Sequence, residues 1–156
     1  MKKNLSDRDA IIGKLYPSTD PNVKSVGDIF YREANAKGAF LYSALFMPTI
    51  LEVEGSIIID LFSGEIQERF LKKKSEWKGS IQELEASFNF FELPYLFGIE
   101  HRMETSDAED ACLCEIIANV WRSLLRETYP ERRIIVECLS PEESGSVSSI
   151  SVSELR

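Results

Sequence analysis

The amino-acid sequence predicts an α+β fold, with a small antiparallel sheet of about four strands and helices packed on one face. Three observations carry that expectation. Apolar residues recur at the helical period between Ser106 and Tyr129. Two runs rich in β-branched residues flank Glu54-Gly55-Ser56, and two more strand-like runs flank Pro141-Glu142-Glu143-Ser144-Gly145.

In chain order, Ser6 is placed to cap a short helix through Tyr16, with Ile11, Ile12 and Leu15 on one side. Pro17 and Pro21 break the chain next, so residues 17–24 read as a loop and residues 1–24 as a peripheral segment. Val26, Ile29 and Phe30, then Phe40, Leu41, Ala44 and Leu45, give a helical pattern that Gly38 would divide and Pro48 would end. Ile50-Leu51-Glu52-Val53 and Ile57-Ile58-Ile59 form the first hairpin, the second run being apolar throughout and therefore the more central. Residues 65–92 are again mostly helical. Ile66, Phe70 and Trp77 face inward, and a capping box of Ser80 and Glu83 starts a new helix at Ile81 that ends before Pro94. Residues 93–105 are a loop anchored by Tyr95-Leu96-Phe97.

The longest helix follows. Ser106 and Glu109 make a second capping box, and Asp107 and Asp110 suit the positive end of the helix. Leu113, Ile116, Ile117, Val120 and Leu124 fall on one stripe, widened by Trp121 and Leu125, until Tyr129-Pro130 stops it. Arg132 to Leu139 is a strand. Val147 to Val152 is a weaker one, and residues 144–156 read as an edge strand or a tail.

With 156 residues the chain has the length of one domain. Its net charge of −8 is unevenly spread: residues 1–78 carry +1 and residues 79–156 carry −9. Such an acidic surface repels phosphate backbones, so a general nucleic-acid binder is not expected, whereas a basic protein partner is compatible. The longest uncharged stretch, Gly38 to Leu51, has 14 residues and contains Pro48, against the ~20 that a spanning helix needs. No apolar run follows Met1-Lys2-Lys3. The expectation is therefore a cytoplasmic protein with no membrane association.

Phe46-x-Pro48 leading into Glu52-Val53-Glu54-Gly55, Trp77-x-Gly79 before Ile81 and Glu85, and Tyr129-Pro130-x-Arg132-Arg133 running into Ile134-Ile135-Val136-Glu137 form a pattern across residues 34–153. On these residues the chain resembles a group of small bacterial proteins with no known activity. The resemblance implies a bacterial source and the same fold reading, and no functional site.

The candidates for chemistry each have a structural reading beside the functional one. His101 is the one histidine and sits among Glu100, Arg102 and Glu104, in an order that suits a solvated charged loop. Cys112-x-Cys114 has the wrong spacing for a zinc knuckle, and with Cys138 it reads as three free thiols at the margin of the core. Glu52 and Glu54 alternate on a strand and would share a face. Lys72-Lys73-Lys74 with Lys78, and Arg122, Arg126, Arg132 and Arg133, could each hold an anion, although their places near helix ends favour a structural role. No cofactor is expected, because no glycine-rich phosphate loop is present. The best candidate surface is acidic, comprising Glu100, Glu104 and Asp110 at a loop–helix junction.

Two functions follow as expectations. The first is a non-catalytic protein-binding module, an acidic inhibitor or immunity-type partner of a basic effector. The alternative is a small hydrolase or metal-assisted enzyme built from carboxylates and His101.

Overall fold

A computed structural model describes residues 2–61, 64–102 and 104–156, and the side chains of all of these except 2–6 and 101. The chain gathers into two compact units, Met1–Ser43 and Ala44–Arg156.

The first unit is helical. It contains α1 (Lys2–Leu15), α2 (Val26–Glu33) and most of α3 (Ala36–Phe46). Helix α1 begins before Ser6, the residue expected to cap it, and Ser6's side chain lies outside the described residues. The Ser25 hydroxyl caps α2 by accepting the Asp28 amide. Helices α2 and α3 part at Ala34-Asn35, where Ala34 is extended, and Gly38 does not divide them as expected. The side chain of Asn35 accepts the Gly38 amide at 2.7 Å, so that glycine lies inside the first turn of α3. Among the described side chains of this unit, Ile29 is the one that is buried.

The second unit is α+β. The sheet differs from expectation: among the described residues five strands form two antiparallel sheets, one of two strands and one of three. β1 (Thr49–Val53) and β2 (Ser56–Asp60) make a hairpin in which Val53 pairs with Ser56. Its two-residue turn needs positive φ at both positions, which Glu54 (47°) and Gly55 (82°) supply. α4 (Ile66–Glu76) and α5 (Ile81–Phe88) follow, and the Ser80–Glu83 capping box stands as the sequence suggests. β3 (Phe90–Glu92) is a strand that the sequence reading placed within a helix. Two short 3-10 turns lead to α6 (Asp107–Thr128), then β4 (Ile134–Leu139), α7 (Pro141–Ser144) and β5 (Ser149–Glu154). The strand order is β3-β5-β4, so β5 is the central strand rather than an edge or a tail. Its serines are no obstacle, because hydrogen bonding on both sides satisfies the backbone and Ile150 and Val152 supply the buried face.

Helices do not lie on one face alone. β2 is buried on both of its faces, as its unbroken apolar run suggests. Ile57 and Ile59 join Trp121, Leu125, Ile150 and Val152 in one core. Ile58 turns the other way and joins Val53, Phe70 and Leu84 in a second, smaller core beneath α4 and α5. The seam of α6 is rotated from the predicted stripe: Cys114, Ile117, Ala118, Trp121 and Leu125 are buried, while Leu113, Ile116, Val120 and Leu124 are half-buried. Trp121 is fully buried, donates its indole N–H to the Leu45 carbonyl at 2.9 Å, and meets Phe91 edge-on.

Asn89 joins the two sheets. It follows α5 and is itself buried. Its side-chain oxygen accepts the Ile59 amide at 2.9 Å, and its side-chain nitrogen donates to the Ile57 carbonyl at 2.7 Å. Its own carbonyl accepts the amide of Val152 on β5. One primary amide thus does for the free edge of β2 what a neighbouring strand would do. Asn89→Ala leaves a buried N–H and a buried C=O unpaired, at about 1–3 kcal/mol each. Urea denaturation is expected to show a loss of roughly 2–5 kcal/mol, comparable with the roughly 3–5 kcal/mol expected for Trp121→Ala.

Candidate functional site

The acidic junction assembles from the second 3-10 turn, Ile99–His101, and the first turn of α6. The capping box forms as expected: the Ser106 amide donates to Glu109 at 2.7 Å and the Ser106 hydroxyl donates to it at 2.8 Å. Glu100, Glu104 and Asp107 are exposed. Asp110, expected on the surface with Glu100 and Glu104, is instead buried at 7% exposure, and its carboxylate accepts the Thr105 hydroxyl at 2.6 Å. The reason is its helical phase. Asp110 stands four residues before Cys114 and seven before Ile117, on the side of α6 that turns toward the core. It belongs to the structure of the helix start, and Glu100 and Glu104 are the accessible members of the predicted trio.

The remaining candidates disperse. The backbone of His101 closes the 3-10 turn, while its side chain, on which the hydrolase reading depends, lies outside the described residues. Glu52 and Glu54 do not form an acid–base pair. Glu54 stands in the hairpin turn and binds Lys74 at 2.7 Å, whereas Glu52 binds Arg132 at 3.2 Å. Lys73 and Lys74 occupy the last turn of α4, as their dipole role requires. The three cysteines are free of disulfides. Burial, together with Cys138 and Asp110, pushes the Cys114 thiol up to about 12, and burial with the neighbouring Glu115 carboxylate does the same for Cys138. Neither is a useful nucleophile at neutral pH. Among the described residues no three His, Cys, Asp or Glu side chains converge as a metal site would require. No helix among them is long and apolar enough to cross a membrane.

A charged network that local sequence patterns could not reveal ties the second unit together. Arg132 donates through Nε to Glu154 at 2.7 Å, through Nη2 to the same carboxylate and to the Gly55 carbonyl, and approaches Glu52. Arg156 binds Glu154 at 3.1 Å, the Gly55 carbonyl at 3.0 Å and the fully buried Glu85. The network links the hairpin turn, β5 and α5. Apart from Glu154 and Arg156, which are two residues apart, these hydrogen-bonded partners are 22 to 101 residues apart in sequence, a separation that no short motif spans.

The first unit carries the most conspicuous surface. Tyr31 is 92% exposed, Phe40 80%, Leu41 72% and Phe30 70%. On α3, Phe40, Leu41 and Ala44 are exposed, while Leu45, in the last turn, is buried in the core of residues 44–156.

Two measurements follow. Arg132 and then Arg156 hold the Glu154 carboxyl below its ordinary value of 4.5. The folded state thus favours the ionised form, which adds stability above the ordinary range that is lost as pH falls through the lowered value. Glu154→Gln is therefore expected to lower stability at pH 7 and to shrink the acid-induced loss, as read by urea midpoints from pH 7 downward. Asp110→Lys puts an unmatched cation in a buried place at the positive end of a helix, and a loss of over about 2 kcal/mol is expected. Glu100→Lys and Glu104→Lys should each stay within about 0.5 kcal/mol in the same assay.

No family model, curated protein or solved structure matches the chain.

Proposed function

We propose that the protein is a non-catalytic binding module for a basic protein partner, as an inhibitor or immunity-type protein would be. The observation that carries this reading is the exposure of four large apolar side chains on α2 and α3, Phe30, Tyr31, Phe40 and Leu41. Soluble proteins rarely leave large contiguous apolar patches in water, and where they do the patch commonly meets another macromolecule. Aromatic side chains of this kind dominate binding energy when a partner covers them. The first unit buries so little of its own apolar surface that a partner's surface has a large area to cover.

Charge supports the choice of partner. Residues 44–156 carry 11 basic and 21 acidic side chains, a net of −10. A basic protein would be drawn toward that field, and Glu100 and Glu104 are exposed within it. The two contributions separate in kinetics. Apolar anchors set how long the complex lasts, and surface charges set how fast it forms.

The test uses the full chain immobilised in an extract of the source cells, with any retained protein then purified for kinetics. Replacing Phe30 and Phe40 together by Asp is expected to weaken a retained basic protein at least about tenfold, mainly through faster dissociation. Glu100→Lys with Glu104→Lys should slow association about two- to fivefold at low salt and leave dissociation unchanged. Retention of no basic protein, or equal affinity for the Phe30/Phe40 variant, overturns the reading.

A further inference from the structure

We infer that the concavity between the C-terminal half of α6 and β4 binds a small organic oxyanion, a carboxylate or phosphate carried on an apolar body. This site lies on the second unit and is independent of the exposed apolar side chains of α2 and α3. It is a half-open concavity of about 320 Å³, lined by Arg122, Arg126, Arg132 and Arg133 with Leu125 and the start of β4. A volume near 300 Å³ is at the lower end of the range for small-molecule sites.

The charge balance of the lining is the central observation. Four arginines are among the residues that line the concavity and, among the described residues, no acidic one is, although the surrounding chain is strongly acidic. Two of the four are held in place. Arg122 donates to the Val136 carbonyl at 2.9 Å and to Asn119 at 3.0 Å, and approaches Glu115 at 3.3 Å. Arg132 is matched by Glu154 and Glu52. Arg126 and Arg133 are different: among the described residues, neither side chain makes a hydrogen bond or an ion pair. The end of α6 supplies the equivalent of about half a negative charge, too little to account for both.

Placement also favours a ligand. Arg122 and Arg126 stand one turn apart on α6, while Arg133 stands in the segment leading into β4, so the lining arginines come from two segments. Arg122 covers the outward-facing carbonyl of Val136, which keeps an added strand from pairing there and leaves a pocket rather than a sheet edge. Guanidinium groups present paired N–H donors that match the two oxygens of a carboxylate or phosphate. The half-buried Ile134 and Ile135 offer an apolar floor for a body attached to that head group.

The probes are phenyl phosphate, benzoate and inorganic phosphate, added to the full chain at constant ionic strength made up with sodium chloride. Binding is followed by amide chemical shifts and by calorimetry. Saturable binding of phenyl phosphate or benzoate at about millimolar affinity is expected, with shifts centred on residues 122–136. The tighter of the two identifies the head group. Inorganic phosphate should bind at least about fivefold more weakly, since it makes no contact with the apolar floor. Arg126→Gln with Arg133→Gln should weaken the better probe at least tenfold. Both side chains are exposed and unpaired, so the fold should survive, and each single variant should give an intermediate loss that serves as a check. The inference is overturned by the absence of saturation with both organic probes, by shifts centred elsewhere, by inorganic phosphate binding as tightly as the better organic probe, or by an affinity within twofold of wild type in the double variant.

Discussion

The second unit depends on how the free edge of β2 is satisfied. A two-stranded hairpin is marginal in water by itself, and β2 is too apolar to leave its outer backbone groups exposed. The pairing of Val53 with Ser56 directs the amide and carbonyl groups of Ile57 and Ile59 away from β1. Asn89 meets both with a single amide and gives its own carbonyl to Val152. With that edge closed, β2 can send Ile57 and Ile59 into the core shared with α6 and Ile58 into the core beneath α4 and α5. One short strand thereby serves two cores, and the amide between the sheets fixes its register against both.

The charged network around Arg132 acts on the opposite end of the hairpin. Glu154 receives two guanidinium groups, and the Gly55 carbonyl receives a hydrogen bond from each. Positive φ at Glu54 and Gly55 turns the chain tightly, and the network anchors the resulting turn to the end of β5. Glu85 is buried and would be costly as an isolated charge; Arg156 provides its counter-charge. Two features therefore hold the hairpin: a neutral amide along its edge and paired charges at its tip.

The units differ in how completely they bury themselves. Among the described residues, 44–156 form two apolar cores and leave one large apolar side chain, Ile99, at 70% exposure or more, while the first unit leaves four. The acidic residues also divide by role. Asp110 and Glu109 serve the start of α6, which leaves Glu100, Glu104 and Asp107 to the solvent. Crowding of like charges in sequence is thus a poor guide to a shared surface. Adjacent positions on a helix point about 100° apart, so near neighbours can face solvent and core respectively.

Much of the local structure was legible in the sequence because its causes are local. The Ser80–Glu83 and Ser106–Glu109 capping boxes need four consecutive residues, the hairpin turn needs Glu54-Gly55, and burial of Trp121 follows from helical spacing. The class, α+β, followed from those pieces. The tertiary structure alone decided what separates the strands into two sheets, because Asn89 acts through groups 30 and 32 residues away. It also decided that serine-rich β5 is central, since a strand's place depends on which neighbours offer it hydrogen bonds rather than on its own apolar content. The burial of Asp110 and the meeting of Arg132 with Glu154 and Glu52 have the same origin. Each depends on which distant segment occupies the facing space, and spacing along the chain carries no record of that.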